Sequence, residues 1–475
     1  MACGVLGVVV KDGRNIDLRK EIFEAWKSIN HRGETSHGLA YLSGDSIISV
    51  HEQGLIRDSP IFKQGHPEIK GNILIAHNRY PTSSGNDREN DQPFQYVSPQ
   101  GTPYALGHNG NIANDGELRA LIPGNAGGSD TKVLGELSGK SIDAGKDMPG
   151  SIKEVLGNAL GSYSLTFLIG GNNPMVVAIR DPLGYMPLSV GENGKGFYVA
   201  SESIAFNHFN AQNREVNPGE MVIIDRSGMT SHQLFEQEQT QYCMFQWVYI
   251  LHSTSIFEGT NAYIVRDRLG AKMAERYSPE VDFVMPVPDS GRAAAQGYAN
   301  ARGIPLLEGI MKERYESKRS FIQDEQLDRQ GVIKRKLSII KSVVEGKDIL
   351  VIDDSLVRGN TAPYLIKMLR EAGAREIHMA FACPPIVSQC AYGVDFYNSQ
   401  LFARQFMNGK IDMNWPDSTF NEHIAQKLGV SSVYYNTIGD LVESIGKSEE
   451  SLCLSCLTGE YKQDIVLQTQ AARRQ

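Results

Sequence analysis

The chain reads as two domains of different construction: an α+β half of stacked sheets flanked by helices, then an α/β half built on a parallel sheet. Length is the first reason, since 475 residues give room for two or three domains with separate buried cores. The second is that short β-like runs separated by Gly, Asn and Pro turns fill the chain up to about Asp225. The third is a change after the polar, Gln- and Glu-rich stretch 233–241, beyond which strand, loop and helix alternate.

The individual elements follow from these patterns. Apolar residues 4–10 predict a first strand, and runs 72–76, 164–169, 175–179, 196–200 and 221–224 predict others. Helical spacing marks 18–29 and 130–137, the second beginning after Gly127, Gly128 and Ser129. In the second half, a strand at 283–287 runs into Asp289, Ser290 and Gly291 and then an Ala-rich helix ending at Gly303. A strand at 348–352 precedes Asp353-Asp354-Ser355-Leu356-Val357-Arg358-Gly359-Asn360-Thr361 and a helix that stops near Gly373, where a left-handed cap is cheapest. The divisions expected are 1–235, 243–430 and a tail, 431–475.

Composition narrows the function. With 47 basic and 55 acidic residues the formal charge is −8, which offers nucleic acid no chain-wide attraction. No apolar run approaches the roughly 18 residues that span a bilayer. The first apolar stretch lacks a preceding basic region and is followed at once by Lys11 and Asp12, so it does not read as a signal peptide, and a cytoplasmic protein is expected. Six cysteines are too few for a disulfide framework in a chain of this length, which leaves thiol chemistry or metal ligation for those that cluster.

The segment 353–361 answers several chemical needs at once. Paired carboxylates at a strand end accept hydrogen bonds from vicinal ribose hydroxyls. Gly359 permits close backbone approach to a phosphate, Ser355 and Thr361 add hydroxyls, and the following helix presents free N–H groups. A strand end is also where α/β sheets bind ligands. The stretch resembles the phosphoribosyl pyrophosphate (PRPP) signature of type I phosphoribosyltransferases. That resemblance implies that Asp353 and Asp354 hold the ribose hydroxyls and Ser355, Arg358, Gly359, Asn360 and Thr361 belong to the 5′-phosphate loop, while Asp289, Ser290 and Gly291 resemble the same family's pyrophosphate loop. Many relatives carry a hydroxyl where this chain has Gly291. Pyrophosphate is a highly charged leaving group, so Mg²⁺ is expected with the substrate, at Asp353 and Asp354. The segment 312–340, with eight basic and five acidic residues, reads either as a solvated surface or as a basic lid over an anionic substrate.

The N-terminal half carries a second set of motifs: Cys3-Gly4-Val5-Leu6-Gly7, His31-Arg32-Gly33-Glu34, Ala76-His77-Asn78-Arg79-Tyr80-Pro81-Thr82, Gly107-His108-Asn109-Gly110-Asn111 and Ser129-Asp130-Thr131. A lone cysteine on a strand is as easily a small buried residue. The ordered set, however, resembles the glutaminase domain of class II amidotransferases, of the N-terminal-nucleophile type with its four-layer αββα fold. The resemblance implies Cys3 as nucleophile, Asn109 and Gly110 as oxyanion donors, Arg79 on the glutamine carboxylate, Asp130 on its amino group, and Tyr80 and Thr82 in the pocket. A free α-amino group titrates near 7.7 to 8 and can shuttle the thiol proton, so Cys3 must become the first residue and removal of Met1 and Ala2 is expected.

Cys453-Leu454-Ser455-Cys456 is a C-x-x-C, and Cys390 and Cys243 match positions at which one subgroup of the family places cluster ligands. The resemblance implies a structural [4Fe–4S] cluster on Cys243, Cys390, Cys453 and Cys456; four thiolates equally suit tetrahedral zinc. Cys383 is left as buried packing. Taken together, the motifs resemble the glutamine phosphoribosylpyrophosphate amidotransferases. This implies glutamine and PRPP as substrates, purine nucleotides as inhibitors and a homo-oligomer, with no nucleic-acid or membrane partner. A glucosamine-phosphate synthase would share the first motif set but not 353–361; a PRPP-binding regulator would keep a silent, capped Cys3.

Overall fold

The structure, a computed structural model, describes residues 2–80, 88–122, 128–236, 239–312, 337–396, 400–407 and 411–463. Its N-terminal half contains two antiparallel sheets. One has seven strands in the order Gln212–Glu215, Ser189–Glu192, Gly196–Ala200, Gly4–Val10, Ile73–Arg79, Ser36–Ser43 and Ser46–Gln53. The other has six: Gly228–Gln233, Glu220–Asp225, Met175–Arg180, Gly161–Ile169, Pro103–Ile112 and Phe94–Val97.

Side-chain alternation dictates how they stack. In Gly4–Val10, Val5 and Val9 meet Ala105, Leu168, Val176 and Ala178 of the second sheet, while Leu6, Val8 and Val10 face the helical side. There they pack with Leu18, Ile22, Ala25 and Trp26 of the helix Leu18–Ser28, whose buried positions recur at helical spacing and whose start is capped by Asp17 accepting from the Arg19 N–H. On the far side, Tyr163, Leu165 and Phe167 pack with Val133 and Leu134 of Asp130–Ile142 and Ile152 and Leu156 of Met148–Leu156. Three apolar layers therefore lie between four layers of structure, helix, sheet, sheet, helix. Each aliphatic side chain so buried contributes about 1.5–3 kcal/mol, and strands covered on both faces need the near-continuous apolar runs seen in the sequence.

The second half contains a parallel sheet, ordered Phe283–Pro286, Asp348–Asp353, Glu376–Phe381 and Ser432–Tyr435. From Phe283–Pro286 the chain passes through the helix Arg292–Arg302, capped by left-handed Gly303, and returns on the outer side, where Leu306 bridges Val284. The strand Asp348–Asp353 lies on the opposite side of Phe283–Pro286. The path thus reverses between these two strands, the topological switch point at which such sheets open a crevice. The tail does not stand apart: Leu452–Cys453 pairs in parallel with Tyr242–Cys243, and Leu454 and Leu457 join the core of the second half. No helix among the described residues is long and apolar enough to cross a membrane.

Candidate active sites

Cys3 lies immediately before the strand Gly4–Val10, whose first residue pairs with Asn78, so the thiol meets the chain where it leaves the neighbouring strand. The Tyr80 N–H donates to Cys3 Sγ at 3.4 Å, and the buried Arg32 Nε donates to the Cys3 carbonyl at 2.8 Å. Burial pushes the thiol's pKa up, against the opposing pull of the Tyr80 amide and the positive charges of Arg79 and Arg32. It therefore stays protonated near neutrality and needs a base before it can attack.

The second sheet supplies the opposite wall. His77 Nε2 donates to the His108 carbonyl at 3.0 Å, tying the two sheets together one residue before Asn109. Asn109 is fully buried, and neither its Oδ1 nor its Nδ2 has a hydrogen-bond partner among the described residues. Gly110 has φ +156°, and a Cβ there would stand 2.1 Å from the Ser162 carbonyl. Asp130, the first residue of its helix, accepts from the Ile112 N–H at 2.9 Å and the Thr131 N–H at 2.8 Å, and its charge reaches the Cys3 thiol. The helix cap is Ser129, so Asp130 is not the N-cap residue. Arg79 is buried 3.5 Å from Asp91 and is no surface ion pair. Thr82 lies outside the described residues.

At the switch point of the parallel sheet, Asp353 and Asp354 end the strand beside the loop Val287–Gly291. Ser290 Oγ donates to Asp353 Oδ1 at 3.0 Å, the Asp354 N–H to the same oxygen at 2.9 Å, and Ser355 Oγ to Asp354 Oδ2 at 2.6 Å. Burial and the neighbouring Asp354, a second carboxylate in the same site, push the Asp353 pKa well up. Gly291 could carry no side chain, since a Cβ would lie 2.2 Å from the Ile352 carbonyl. Gly359 takes a left-handed φ of +69°, and Asn360 directly precedes the helix Thr361–Glu371 without a side-chain capping bond. Arg358 Nη2 is 2.8 Å from Asp395 Oδ2. Of the segment 312–340, residues 313–336 lie outside the described ones; its two ends pair as Ile310–Lys312 with Leu337–Ile339, and Lys312 Nζ reaches Asp289 at 3.1 Å.

The four thiols gather at the seam between the halves. Cys243 pairs with Cys453 in strand register, and the sulfurs of Cys243, Cys390, Cys453 and Cys456 sense one another's charge. Burial first, and then those like charges, push Cys453 up to about 12 and Cys456 well up. Backbone N–H groups point at the sulfurs, from Tyr392 to Cys390 at 3.3 Å and from Phe245 and Gln246 to Cys243. Among the described residues no three such side chains converge closely enough to enclose a single ion. Cys383 is fully buried.

Two residues had no assigned role in the sequence. Glu202, fully buried, binds His31 Nε2 at 2.8 Å and Arg32 Nη1 at 2.7 Å from its own half, and the His252 N–H at 2.9 Å and Ser255 Oγ at 2.7 Å from beyond the connector. Tyr249 stands where the charges of Asp354 and Asp353 and those of Tyr80 and Glu34 all reach it, between the two sites. The only sequence signal for Glu202 was its acidity beside a strand end.

Comparison with known proteins agrees with this division. Residues 77–208 match a glutamine amidotransferase domain and residues 252–409 a phosphoribosyl transferase domain. The amidophosphoribosyltransferase of Methanothermobacter thermautotrophicus is 36% identical over 97% of this chain and 94% of its own, and that of Bacillus subtilis 35% identical over 98% and 95%. The solved B. subtilis glutamine PRPP amidotransferase, complexed with ADP and GMP, superposes with a TM-score of 0.83 at 34% identity over 98% of this chain and 99% of that one. With such likeness running the length of both halves, the chain belongs to the amidophosphoribosyltransferase family.

Proposed function

We propose that Cys3 releases ammonia from glutamine and that the ammonia crosses the interior to attack C1 of PRPP held at Asp353–Thr361. The products are 5-phosphoribosylamine, glutamate and pyrophosphate. Glutamine-dependent phosphoribosyl transfer is the family's activity, the first step of purine biosynthesis. The assignment of steps to residues rests most on Asn109, a buried primary amide with neither polar atom bonded among the described residues, on the strand that His77 ties to the sheet carrying Cys3.

In the first half-reaction, the α-amino group of Cys3, freed by removal of Met1 and Ala2, accepts the thiol proton as sulfur attacks the carboxamide carbon. The Asn109 Nδ2 and the Gly110 N–H receive the developing oxyanion. Arg79 pairs with the glutamine α-carboxylate and Asp130 with its ammonium, with Tyr80 and Thr82 beside them. The proton returns to the leaving nitrogen as ammonia departs, and water then hydrolyses the thioester.

In the second, Ser355, Arg358, Gly359, Asn360 and Thr361 hold the 5′-phosphate, Asp353 and Asp354 the ribose hydroxyls, and Asp289, Ser290 and Gly291 the pyrophosphate. Asp353 and Asp354 would hold the Mg²⁺ that accompanies PRPP, which would supply charge neutralisation for the leaving pyrophosphate; adjacent carboxylate oxygens suit a hard cation. Internal transfer keeps ammonia unprotonated and nucleophilic.

Cys243, Cys390, Cys453 and Cys456 form an all-sulfur donor set with N–H groups directed at it, which fits a [4Fe–4S] cluster that holds the seam together. A tetrahedral zinc ion on the same four thiolates is the alternative. We further read the protein as cytoplasmic, homo-oligomeric and inhibited by purine nucleotides, with divisions at 1–235, 243–430 and 431–475. ADP and GMP in the B. subtilis complex support the nucleotide reading.

The test is mass spectrometry with paired assays. Active protein should begin at Cys3 and release glutamate from glutamine faster when PRPP is present. Glutamine-active protein that retains Ala2 would overturn the amino-base mechanism.

A further inference from the structure

We infer that the strap Ala391–Asp395 is the positioning element through which occupancy of the phosphate loop is felt at the oxyanion strand. Two donors on the glutaminase side hold it by its backbone. Asn111 Nδ2 donates to the Ala391 carbonyl at 2.8 Å and Ser162 Oγ to the Tyr392 carbonyl at 2.7 Å, both buried and both joining residues more than two hundred positions apart. Next along the strap, Gly393 (φ +100°) lies against Gly110 so tightly that a Cβ on it would stand 3.0 Å from the Gly110 carbonyl carbon. Two residues on, Asp395 accepts from Arg358 Nη2 through Oδ2 at 2.8 Å and through its carbonyl at 3.2 Å. Its other carboxylate oxygen is buried without a partner among the described residues.

The strap therefore has one end on the phosphate loop and its middle on the group proposed to hold the oxyanion. A phosphate arriving at that loop draws on the same Arg358 guanidinium whose Nη2 holds Asp395, and so pulls on that contact. Asp395, already short of one partner, must then move or take another. A shift there is passed to Gly393, and no side chain cushions Gly393 from Gly110. Asn111 and Ser162 keep the strap registered on the strand without touching substrate.

This inference rests on the two-site reading above. The decisive variant is the full-length double substitution Asn111→Ala with Ser162→Ala, with three activities measured: glutamate release without PRPP, glutamate release with PRPP, and phosphoribosylamine formation from ammonia. The first and third should stay within about twofold of the parent, while the ratio of the second to the first falls at least about fivefold. Ser162→Thr, which keeps the hydroxyl, should retain that ratio. Asp395→Asn should lower it too, and its effect should not add to that of the double substitution. A ratio unchanged in the double variant would overturn the inference. If the double variant fails to fold, Asp395→Asn alone decides, by the same ratio. A parent enzyme with no response to PRPP would instead overturn the two-site reading.

Discussion

An unbonded buried polar atom costs about 1–3 kcal/mol, so a side chain that leaves two of them unbonded is one that binding must complete. Asn109 is such a residue. Replacing it with alanine should lower glutamine-dependent turnover about 100- to 1000-fold while transfer from added ammonia survives, since only the first half-reaction makes an oxyanion; equal loss of both activities would refute the assignment. Glu202 obeys a different rule. Burial would raise its pKa, but His31 and Arg32 hold it well below the ordinary carboxylate range. An unfolded glutamate titrates near 4.3. Its contribution to stability is thus complete above about pH 4.3 and is lost as pH falls from there toward the depressed folded pKa, because the unfolded chain takes up the proton first. Urea midpoints between pH 7 and 3 should fall steeply on the acid side, and less steeply in Glu202→Gln; identical slopes would show that Glu202 is not the titrating group. Cys3, Asn109 and the Asp353–Asp354 pair were legible because each stands in a run of neighbours with a chemical purpose. Glu202 was not, because its four partners come from two distant segments, 31–32 and 252–255, and no local pattern announces them.

Elements were legible where apolar periodicity and function agree, and lost residues where they part. The strand expected at 72–76 runs as Ile73–Arg79, since His77, Asn78 and Arg79 are polar yet lie buried between layers at the site. The helix expected at 130–137 continues to Ile142 through Gly135 and Gly139, small residues that admit Tyr96 and Tyr104: a Cβ on Gly135 would stand 2.1 Å from the Tyr96 ring. Packing overrides propensity there. The loop–helix junction at Gly359 makes the sharpest demand on one residue. Its left-handed φ disfavours any side chain, and a Cβ would meet the Phe402 ring at 2.4 Å. Gly359→Ala should raise KM for PRPP at least about tenfold through backbone strain and displacement of the loop, with PRPP-free glutamate release unaltered. An unchanged KM would show that the loop does not carry the phosphate.

The molecule as a whole is held by long-range links at its seam. The polar stretch 233–241 reads as a connector between independent halves, yet Cys243, just past it, pairs with Cys453 from the tail. The Val387 and Ser388 N–H groups donate to the Cys456 carbonyl at 2.9 and 3.0 Å, and Tyr461 Oη donates to the Gln389 carbonyl at 2.5 Å. Connector, strap and tail thus converge on one group of thiols whose burial, without a metal, costs them their ionised form. A metal group that binds thiolates reverses that cost and closes loops spanning half the chain, so its binding energy becomes folding energy. Cys453→Ser should therefore abolish the visible absorption of anaerobically prepared protein and lower Tm by several degrees. Because Cys390 directly precedes the strap, the variant's PRPP-stimulated glutamate release should also fall more than its basal rate. Iron and sulfide in equal amounts would identify the cluster, zinc alone the single-ion alternative, and a parent protein free of both with the same Tm as the variant would leave the thiols as packing.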